Sequence, residues 1–389
     1  MSARAVHSRL TSRQLNRATL ARQLLLERSD LDVVDAVERI GGLQAQEPAS
    51  PHIGLWTRLA GFQPADLDRA LAERSVVKGT LMRSTLHVVS AADYLRVWPA
   101  VVPLMEGIRR QDRVQPPSPQ RLAALQARAA AFTAEPRGVG ELRDHLGASD
   151  GLAPDEVLWW IRRRVAFAHA PSDVAWSFGR RPRLAHALAW LGADDWSAST
   201  DDALEHLVRR YLGAFGPATA ADLSQWSGLA VARVRPGIAA AEASGDLRRF
   251  SDERGRELLD LEGSPLPDAD TPAPPRLLPM WDSTILAFAD RTRLISDEDR
   301  RVVVARNGDT LPTFTVDGVV AGLWWAASTA GGRTRIAIEP FRPPLARADA
   351  RSLEREAEQL AEIVAPLEPA VYSRYQRWRP AGRSVRSTR

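Results

Sequence analysis

Apolar positions recur at helical spacing through the first part of the chain. Leu20, Leu24 and Leu25 mark a helix over 15–27, and Val33, Val34, Val37 and Ile40 mark a second that stops at Gly41-Gly42. Pro64 opens a third, running to Ala72, because proline is tolerated in the first turn of a helix. The period then changes. Val76-Val77 with Thr80-Leu81-Met82, and then Thr85-Leu86-His87-Val88-Val89, are β-branched and apolar enough for two strands. Three helices followed by a hairpin is the order of a winged helix, whose second and third helices form a helix-turn-helix.

The order recurs. After Pro116-Pro117 and Pro119, helices are predicted over 120–132, 138–146 and 154–167, then a strand over 174–178 that runs into Gly179-Arg180-Arg181-Pro182-Arg183. A third cycle has helices over 202–215, 219–226 and 231–243, with Thr219 as an N-cap, and strands near 247–250 and 257–261. Five prolines between Gly263 and Pro275 mark a linker. Beyond it the pattern is strand-like over 301–305, 313–316, 319–326 and 334–338, with hairpin turns at Asp317-Gly318 and Gly331-Gly332. A helix over 348–365 and an arginine-rich tail after Pro380 complete the chain. The expectation is an α+β protein: winged-helix modules over 10–115, 116–198 and 199–262, then a small β-sheet or β-barrel with a C-terminal helix over 276–380.

The most informative stretch is Leu43-Gln44-Ala45-Gln46-Glu47, between Gly41-Gly42 and Pro48. Pro48 disfavours helix at the residue before it, so the glutamines are expected on extended backbone. There, residues two apart share a side and lie roughly 7 Å from each other. On a helix they would diverge by about 200°. Two neutral amides aimed at one spot can orient a water or a sugar, but they cannot take up a proton as a base. The alternative is that Gln44 and Gln46 only satisfy backbone groups near the helix end.

Composition narrows the chemistry. The 389 residues exceed one ordinary core, and the 44% hydrophobic and 26% charged content describes a soluble globular chain. There is no cysteine, which removes disulfides, thiolate zinc sites and cysteine nucleophiles together. No apolar run has the length of a membrane span, and the opening residues do not read as a signal peptide, so a cytosolic location is expected. Lys78 is the only lysine among 52 basic residues. Arginine suits bidentate phosphate contacts, but GC-rich coding also favours it, and a net charge of +4 is modest.

"LNRATLARQLLLER", "GGLQAQEPASPHIGLWTRL", "TLMRSTLHVVSAADY", "YLGAFGPATAADLSQWSGL" and "LLPMWDSTILAFADRTRLI" together resemble the winged-helix DNA glycosylases of the AlkZ/YcaQ type, over roughly residues 12–378. The resemblance implies a C-shaped body of three winged helices and a β-barrel. It places Gln44 and Gln46 in the catalytic cleft as the Gln-x-Gln motif of the AlkZ-like branch, whose members resemble self-resistance proteins of actinomycetes that make DNA-alkylating antibiotics. The chemistry agrees. Hydrolysing an ordinary N-glycosidic bond calls for an acid and a carboxylate. A purine alkylated at N7 is already cationic and leaves without protonation, so the enzyme mainly positions water and stabilises a positive sugar, a task for oriented dipoles.

Glu47 points away from both glutamines on extended backbone and is a poor general base; a salt bridge or a capping role suits it better. His87 is either structural or part of the cleft with Thr85 and Arg83. Arg180, Arg181 and Arg183 on a predicted wing, and Arg333 and Arg335 after the Gly331-Gly332 turn, are either solvated loops or DNA contacts. Trp281, Trp324 and Trp325 are expected in the core. No metal cluster, no Gly-x-Ser-x-Gly nucleophile elbow and no phosphate loop is visible, and no cofactor is expected. The expected partner is alkylated double-stranded DNA, bound by a monomer with no membrane association. The function this implies is a monofunctional glycosylase that excises bulky N7-alkylpurine adducts and acts on interstrand crosslinks. The rivals are a non-enzymatic winged-helix transcriptional regulator and a protein that sequesters the free antibiotic.

Overall fold

A computed structural model describes residues 8–107, 115–149, 151–305, 308–329 and 331–378; the arginine-rich tail after Pro380 lies outside them. The first stretch runs β1 (Arg9–Leu10), α1 (Ser12–Arg22), α2 (Val33–Arg39), β2 (Leu43–Gln44), α3 (Ala49–Trp56), α4 (Pro64–Ala72), β3 (Val76–Thr80), β4 (Leu86–Ser90) and α5 (Ala91–Gly107). Two of its helices were not expected. Pro48 disfavours helix only before itself; it and Pro51 fall at the N-cap and first turn of α3, where the amide they lack has no helical partner. Every residue of α3 is buried, so packing sustains it. α5 carries Pro99 and Pro103 internally. The strand expected over 80–82 ends at Thr80, and Met82–Ser84 form a 3₁₀ turn.

The second stretch is α6 (Pro119–Phe132), β5 (Arg137–Gly138), α7 (Val139–Leu146), α8 (Pro154–Ile161), β6 (Phe167–Ala170), β7 (Arg183–His186) and α9 (Ala187–Leu191). Here the helix expected to reach residue 167 stops at Ile161, and the strand is β6 rather than 174–178. Residues Ala175–Ser177 are instead a 3₁₀ turn, with Trp176 and Ser177 both at φ 60°.

The third stretch is α10 (Thr200–Phe215), α11 (Ala220–Ser227), α12 (Val231–Ala243), β8 (Leu247–Asp252) and β9 (Glu257–Leu261). Thr219 caps α11 as expected, in a reciprocal box with Asp222. The last stretch is β10 (Arg276–Leu278), α13 (Ser283–Leu286), α14 (Asp297–Val303), β11 (Thr313–Val316), β12 (Val319–Ser328), β13 (Thr334–Pro340) and α15 (Arg347–Val364). The strand expected over 301–305 is mostly helix α14. Ser296 caps it, and Asp297, Glu298 and Asp299 sit where the helix dipole favours negative charge, which outweighs the β-branched valines.

Three sheets organise these elements. The largest has six strands in the order β2-β4-β3-β6-β7-β5, so the first and second stretches share one sheet through β3 and β6. Its order is symmetric: each stretch contributes an inner strand, a hairpin partner and a short outer strand. Strand β1 joins β8 and β9 in a second sheet. The third sheet is β10-β11-β12-β13, all antiparallel. No pairing joins β10 to β13 among the described residues, so the strands of the expected β-rich unit are seen as a four-stranded antiparallel order.

One apolar core runs through the first, third and fourth stretches and takes in Ala166, Ala168, Trp176 and Ala187 of the second, which also has a cluster of its own around Leu125, Leu142, Val157 and Ile161. Trp281, Trp324 and Trp325 are buried as expected. Polar ties cross the shared core. The buried Gln23 amide donates to Ile40 O and Ala214 O, both at 3.0 Å. Arg58 and Asp282, both buried, meet through two 2.9 Å contacts. No helix of the described residues is long and apolar enough to cross a membrane.

Lys78 sits at the centre of the six-stranded sheet, opposite Val88 on one side and His169 on the other. It is buried, its ammonium lies 4.2 Å from the Phe178 ring centroid, and no carboxylate pairs with it among the described residues. Burial lowers its pKa to about 8. The folded state therefore releases this proton more readily than the unfolded state, and Lys78 opposes folding at neutral pH; stability from this group rises as pH climbs from about 8 towards the unfolded value near 10.4. Lys78→Met is expected to stabilise the fold by about 1–3 kcal/mol at pH 7, with a smaller gain at pH 10, in denaturant titrations at the two pH values. Destabilisation at pH 7 would show that the ammonium has a favourable partner.

Candidate functional site

The helix-stopping pair does what the sequence suggests. Gly41 and Gly42 have φ of +74° and +87°, and a Cβ on Gly42 would lie 2.8 Å from Val89 Cγ1. The chain thus leaves α2 and turns directly into β2. Leu43 pairs with Val88 and Gln44 with His87, and Ala45 N continues the ladder to Leu86 O at 2.7 Å. Gln44 is extended and buried, while Gln46 follows in a bend and is exposed.

Both amides reach the same short stretch before β4. Gln44 Oε1 accepts from Arg83 Nη2 at 2.6 Å, and Gln46 Oε1 accepts from the Leu86 N–H at 2.8 Å. Guanidinium and backbone N–H are donors only, so the oxygen end of each amide is fixed by its partner. Each carbonyl oxygen keeps a second lone pair. The bland alternative is therefore half realised: Gln46 does satisfy a backbone group, yet the oxygen of each amide is held by a donor from the segment between Arg83 and Leu86.

Arg83 is presented by an unusual turn. Arg83 and Ser84 both have φ 54°, the left-handed region that is costly for side chains with a Cβ. The strain is held by packing from the third stretch. Gly228 approaches so closely that a Cβ there would sit 2.9 Å from Arg83 Cα, and Trp226 O accepts from Arg83 Nη1. Thr85 closes the turn, with its hydroxyl donating to Met82 O at 3.0 Å, so that hydroxyl is engaged with the turn itself.

No carboxylate pairs with Arg83 among the described residues. Desolvation, with the charge of Arg291, lowers its pKa to about 10. His87 is buried beside Gln44, and its Nδ1 lies 3.0 Å from Thr85 O. That contact requires a proton on Nδ1 and leaves Nε2 as an acceptor, which is buried and unpartnered. Burial, then the Arg83 charge, lowers the His87 pKa to about 3, so the ring is neutral at physiological pH. Ser84 Oγ is likewise buried without a partner. The site therefore offers acceptors and one cation, with no group that titrates near neutrality.

Glu47 is turned away, as anticipated. Its carboxylate pairs with Arg374 and accepts from the Tyr375 hydroxyl at 2.9 Å. Tyr372 reaches the next helix at Ser50, 2.9 Å between hydroxyl oxygens. The end of the chain thus straps the loop that carries Gln46, a role that no sequence signal marked. Arg291 and Trp226 were also missed, because each acts through a fold contact and not through a motif.

Arg83, Thr85 and His87 are brought together with Gln44 and Gln46. The other expected arginines are not. Arg180, Arg181 and Arg183 lie on the connection between β6 and β7 or at its end, all exposed, and Arg183 Nη2 donates to Pro136 O at 2.7 Å. Arg333 and Arg335 lie exposed on the β12–β13 hairpin. No hydrogen bond joins any of these five to the glutamines among the described residues.

A profile of the AlkZ-like DNA glycosylases matches residues 37–363. A curated protein of Streptomyces sahachiroi, the interstrand DNA cross-link repair glycosylase, is 24% identical over 388 residues, covering 90% of this chain and 95% of its own length. The solved structure of the Streptomyces sahachiroi DNA glycosylase AlkZ superposes with a TM-score of 0.75 at 21% identity, over 93% of this chain and 98% of the other. With the profile spanning most of its length and the mixed α and β fold in common, the chain belongs to the AlkZ-like DNA glycosylase family.

Proposed function

We propose that this chain is a monofunctional glycosylase for purines already alkylated at N7, bulky adducts included. Its substrates on this reading extend to interstrand crosslinks, the damage named for the Streptomyces sahachiroi relative, and it protects its host against a DNA-alkylating metabolite. Winged-helix modules over 10–115, 116–198 and 199–262 and a β-rich unit over 276–380 form the DNA-binding body, and the enzyme acts as a monomer. The helix-then-hairpin order of the first three stretches supports that reading. Exposed Arg180, Arg181, Arg183, Arg333 and Arg335 are assigned to the DNA backbone or grooves.

The carrying observation is that, among the described residues, no acid pairs with Arg83 or hydrogen-bonds to Gln44 or Gln46, and the neighbouring imidazole is held neutral. Glu47 is spent on Arg374 and Tyr375, and His87 is held neutral. Such a site cannot protonate a leaving base, so the base must carry its own charge. Gln44 and Gln46 would hold the attacking water on the free lone pairs of their oxygens and place those negative dipole ends against the developing oxocarbenium ion. His87 Nε2 adds a third acceptor. A lysine Schiff base has no support. Lys78 aligns with Leu43 and Val88 across the sheet, and side chains alternate along a strand, so it projects from the face opposite Gln44 and His87.

Incubation with a duplex containing one N7-methylguanine should yield free base and alkali-labile breaks. Gln44→Ala with Gln46→Ala should slow base release by about 100-fold or more, with DNA affinity within about threefold. Full activity in that double variant would end the assignment, and wild type that binds a particular undamaged sequence and releases no base would favour the regulator.

The rate should also be nearly flat with pH. Between the lowered His87 value of about 3 and the lowered Arg83 value of about 10, no site group changes charge. Single-turnover rates are expected to vary by less than about twofold from pH 6 to 9, and to fall only as Arg83 loses its proton above that. A bell-shaped profile centred in this range would reveal an acid or base that the site lacks here.

A further inference from the structure

Helix α11 connects two arginines that neither the family assignment nor the proposed chemistry uses together. At its C-terminal end, Trp226 O and Gly228 hold Arg83. One turn earlier, Asp222 Oδ1 accepts the backbone N–H of Ala289 at 2.9 Å and of Asp290 at 3.5 Å, fixing the loop that presents Arg291. Arg291 Nε donates to Phe288 O at 3.2 Å, but its Nη1 is buried with no partner.

Neither guanidinium has a carboxylate among the described residues, because the nearby acids are taken. Asp222 is engaged by Thr219 and the loop amides, Asp290 by Arg254 and Arg256, and Asp299 by Arg342. The buried Arg17, Arg22 and Arg58 each meet an aspartate: Asp317, Asp260 and Asp282. Leaving two like charges partly desolvated and unpaired is unfavourable in the free protein. Desolvation lowers the pKa of both, and the Arg291 charge acts on Arg83. Neutral acceptors at Trp226, Gln44 and Phe288 compensate this in part and leave Arg291 Nη1 without a partner. An anion from outside would complete it, and beside Gln44 the anion at hand in a DNA glycosylase is a backbone phosphodiester, an acceptor suited to guanidinium N–H donors.

We propose that Arg83 and Arg291 form a phosphate pocket, bridged by α11, that grips one backbone phosphate next to the alkylated nucleotide and sets its sugar against Gln44 and Gln46. This rests on the DNA glycosylase reading. The pocket gives positioning without base readout, consistent with a substrate recognised by its charge and bulk.

The test is binding by fluorescence anisotropy to a duplex with a stable abasic analogue, for wild type, Arg83→Gln and Arg291→Gln, across salt. Each variant should weaken binding by about tenfold and flatten the slope of log affinity against log salt by about 0.9, the value for one lost phosphate contact. A single neutral methylphosphonate near the lesion should weaken wild type by about tenfold at one position, and the variants no further. Unchanged slopes, or variants as sensitive to that methylphosphonate as wild type, overturn the pocket. Should Arg291→Gln not fold, Arg291→Lys serves in its place, and a wild type indifferent to methylphosphonate at every position near the lesion overturns the proposal without any variant. Base release from N7-methylguanine, measured on the same wild-type preparation, reports separately on the glycosylase reading. Release without a phosphate effect removes the pocket alone, and a phosphate effect without release supports the pocket while removing the catalytic reading.

Discussion

The strained turn at Arg83-Ser84 is the constraint on which the site depends. Two consecutive residues with side chains adopt a left-handed conformation, a costly one that the hairpin closes through Thr85 and Met82. Further compensation comes from the third stretch, where a glycine without a Cβ lets α11 press against the turn and a carbonyl takes one arm of the guanidinium. The other arm fixes Gln44. A single side chain thus ties the orientation of the Gln44 amide to the packing between two distant parts of the chain. Its charge also adds to the burial that keeps the neighbouring imidazole neutral. Removing Arg83 would loosen position, charge and protonation state together, which is why its effects should not be apportioned to one of them.

The six-stranded sheet is a near-symmetric arrangement of which one half carries Gln44. Strands β3 and β6 meet at the middle, and the hairpin of each stretch repeats the same kind of turn, left-handed at Arg83-Ser84 and again at Trp176-Ser177. The outer strands differ. On one edge β2 supplies Gln44, and on the other β5 supplies Arg137 and Gly138. In the second turn Trp176 is buried and donates to Glu368 at 2.9 Å, whereas Arg83 in the first donates to Trp226 O and Gln44. The same backbone device has been put to two uses by its side chains.

Local signals in the sequence were reliable where the chemistry is local. Pro64 and Thr219 marked helix starts because a fixed φ and a side-chain acceptor act within one turn. Gly41-Gly42 and Asp317-Gly318 marked turns that are indeed left-handed. Errors arose where tertiary packing overrides propensity. Helix α3 forms around two prolines because it is buried on all sides, and Arg301 to Val303 are helical because Ser296 and the acidic first turn begin a helix ahead of them. The strand expected at 174–178 failed for a subtler reason: an apolar aromatic run can satisfy a tight turn as well as a strand. The extended backbone at Gln44 was readable from the two glycines, whereas Gln46, expected to extend with it, falls in a bend. The Arg83 contact with Gln44 was not readable, since the two are 39 residues apart and meet only through sheet register.

The central claim is that this site lacks the means to protonate a base and so requires one that is already charged. The most direct measurement is single-turnover base release from matched duplexes that differ only in the lesion, N7-methylguanine in one and the neutral purine hypoxanthine in the other. The account predicts steady release of the cationic base and release of the neutral one slower by at least about 1,000-fold, roughly 4 kcal/mol in barrier height. Comparable rates for the two would contradict it, because they would require a proton donor that the site of Gln44, Gln46, Arg83 and His87 does not contain.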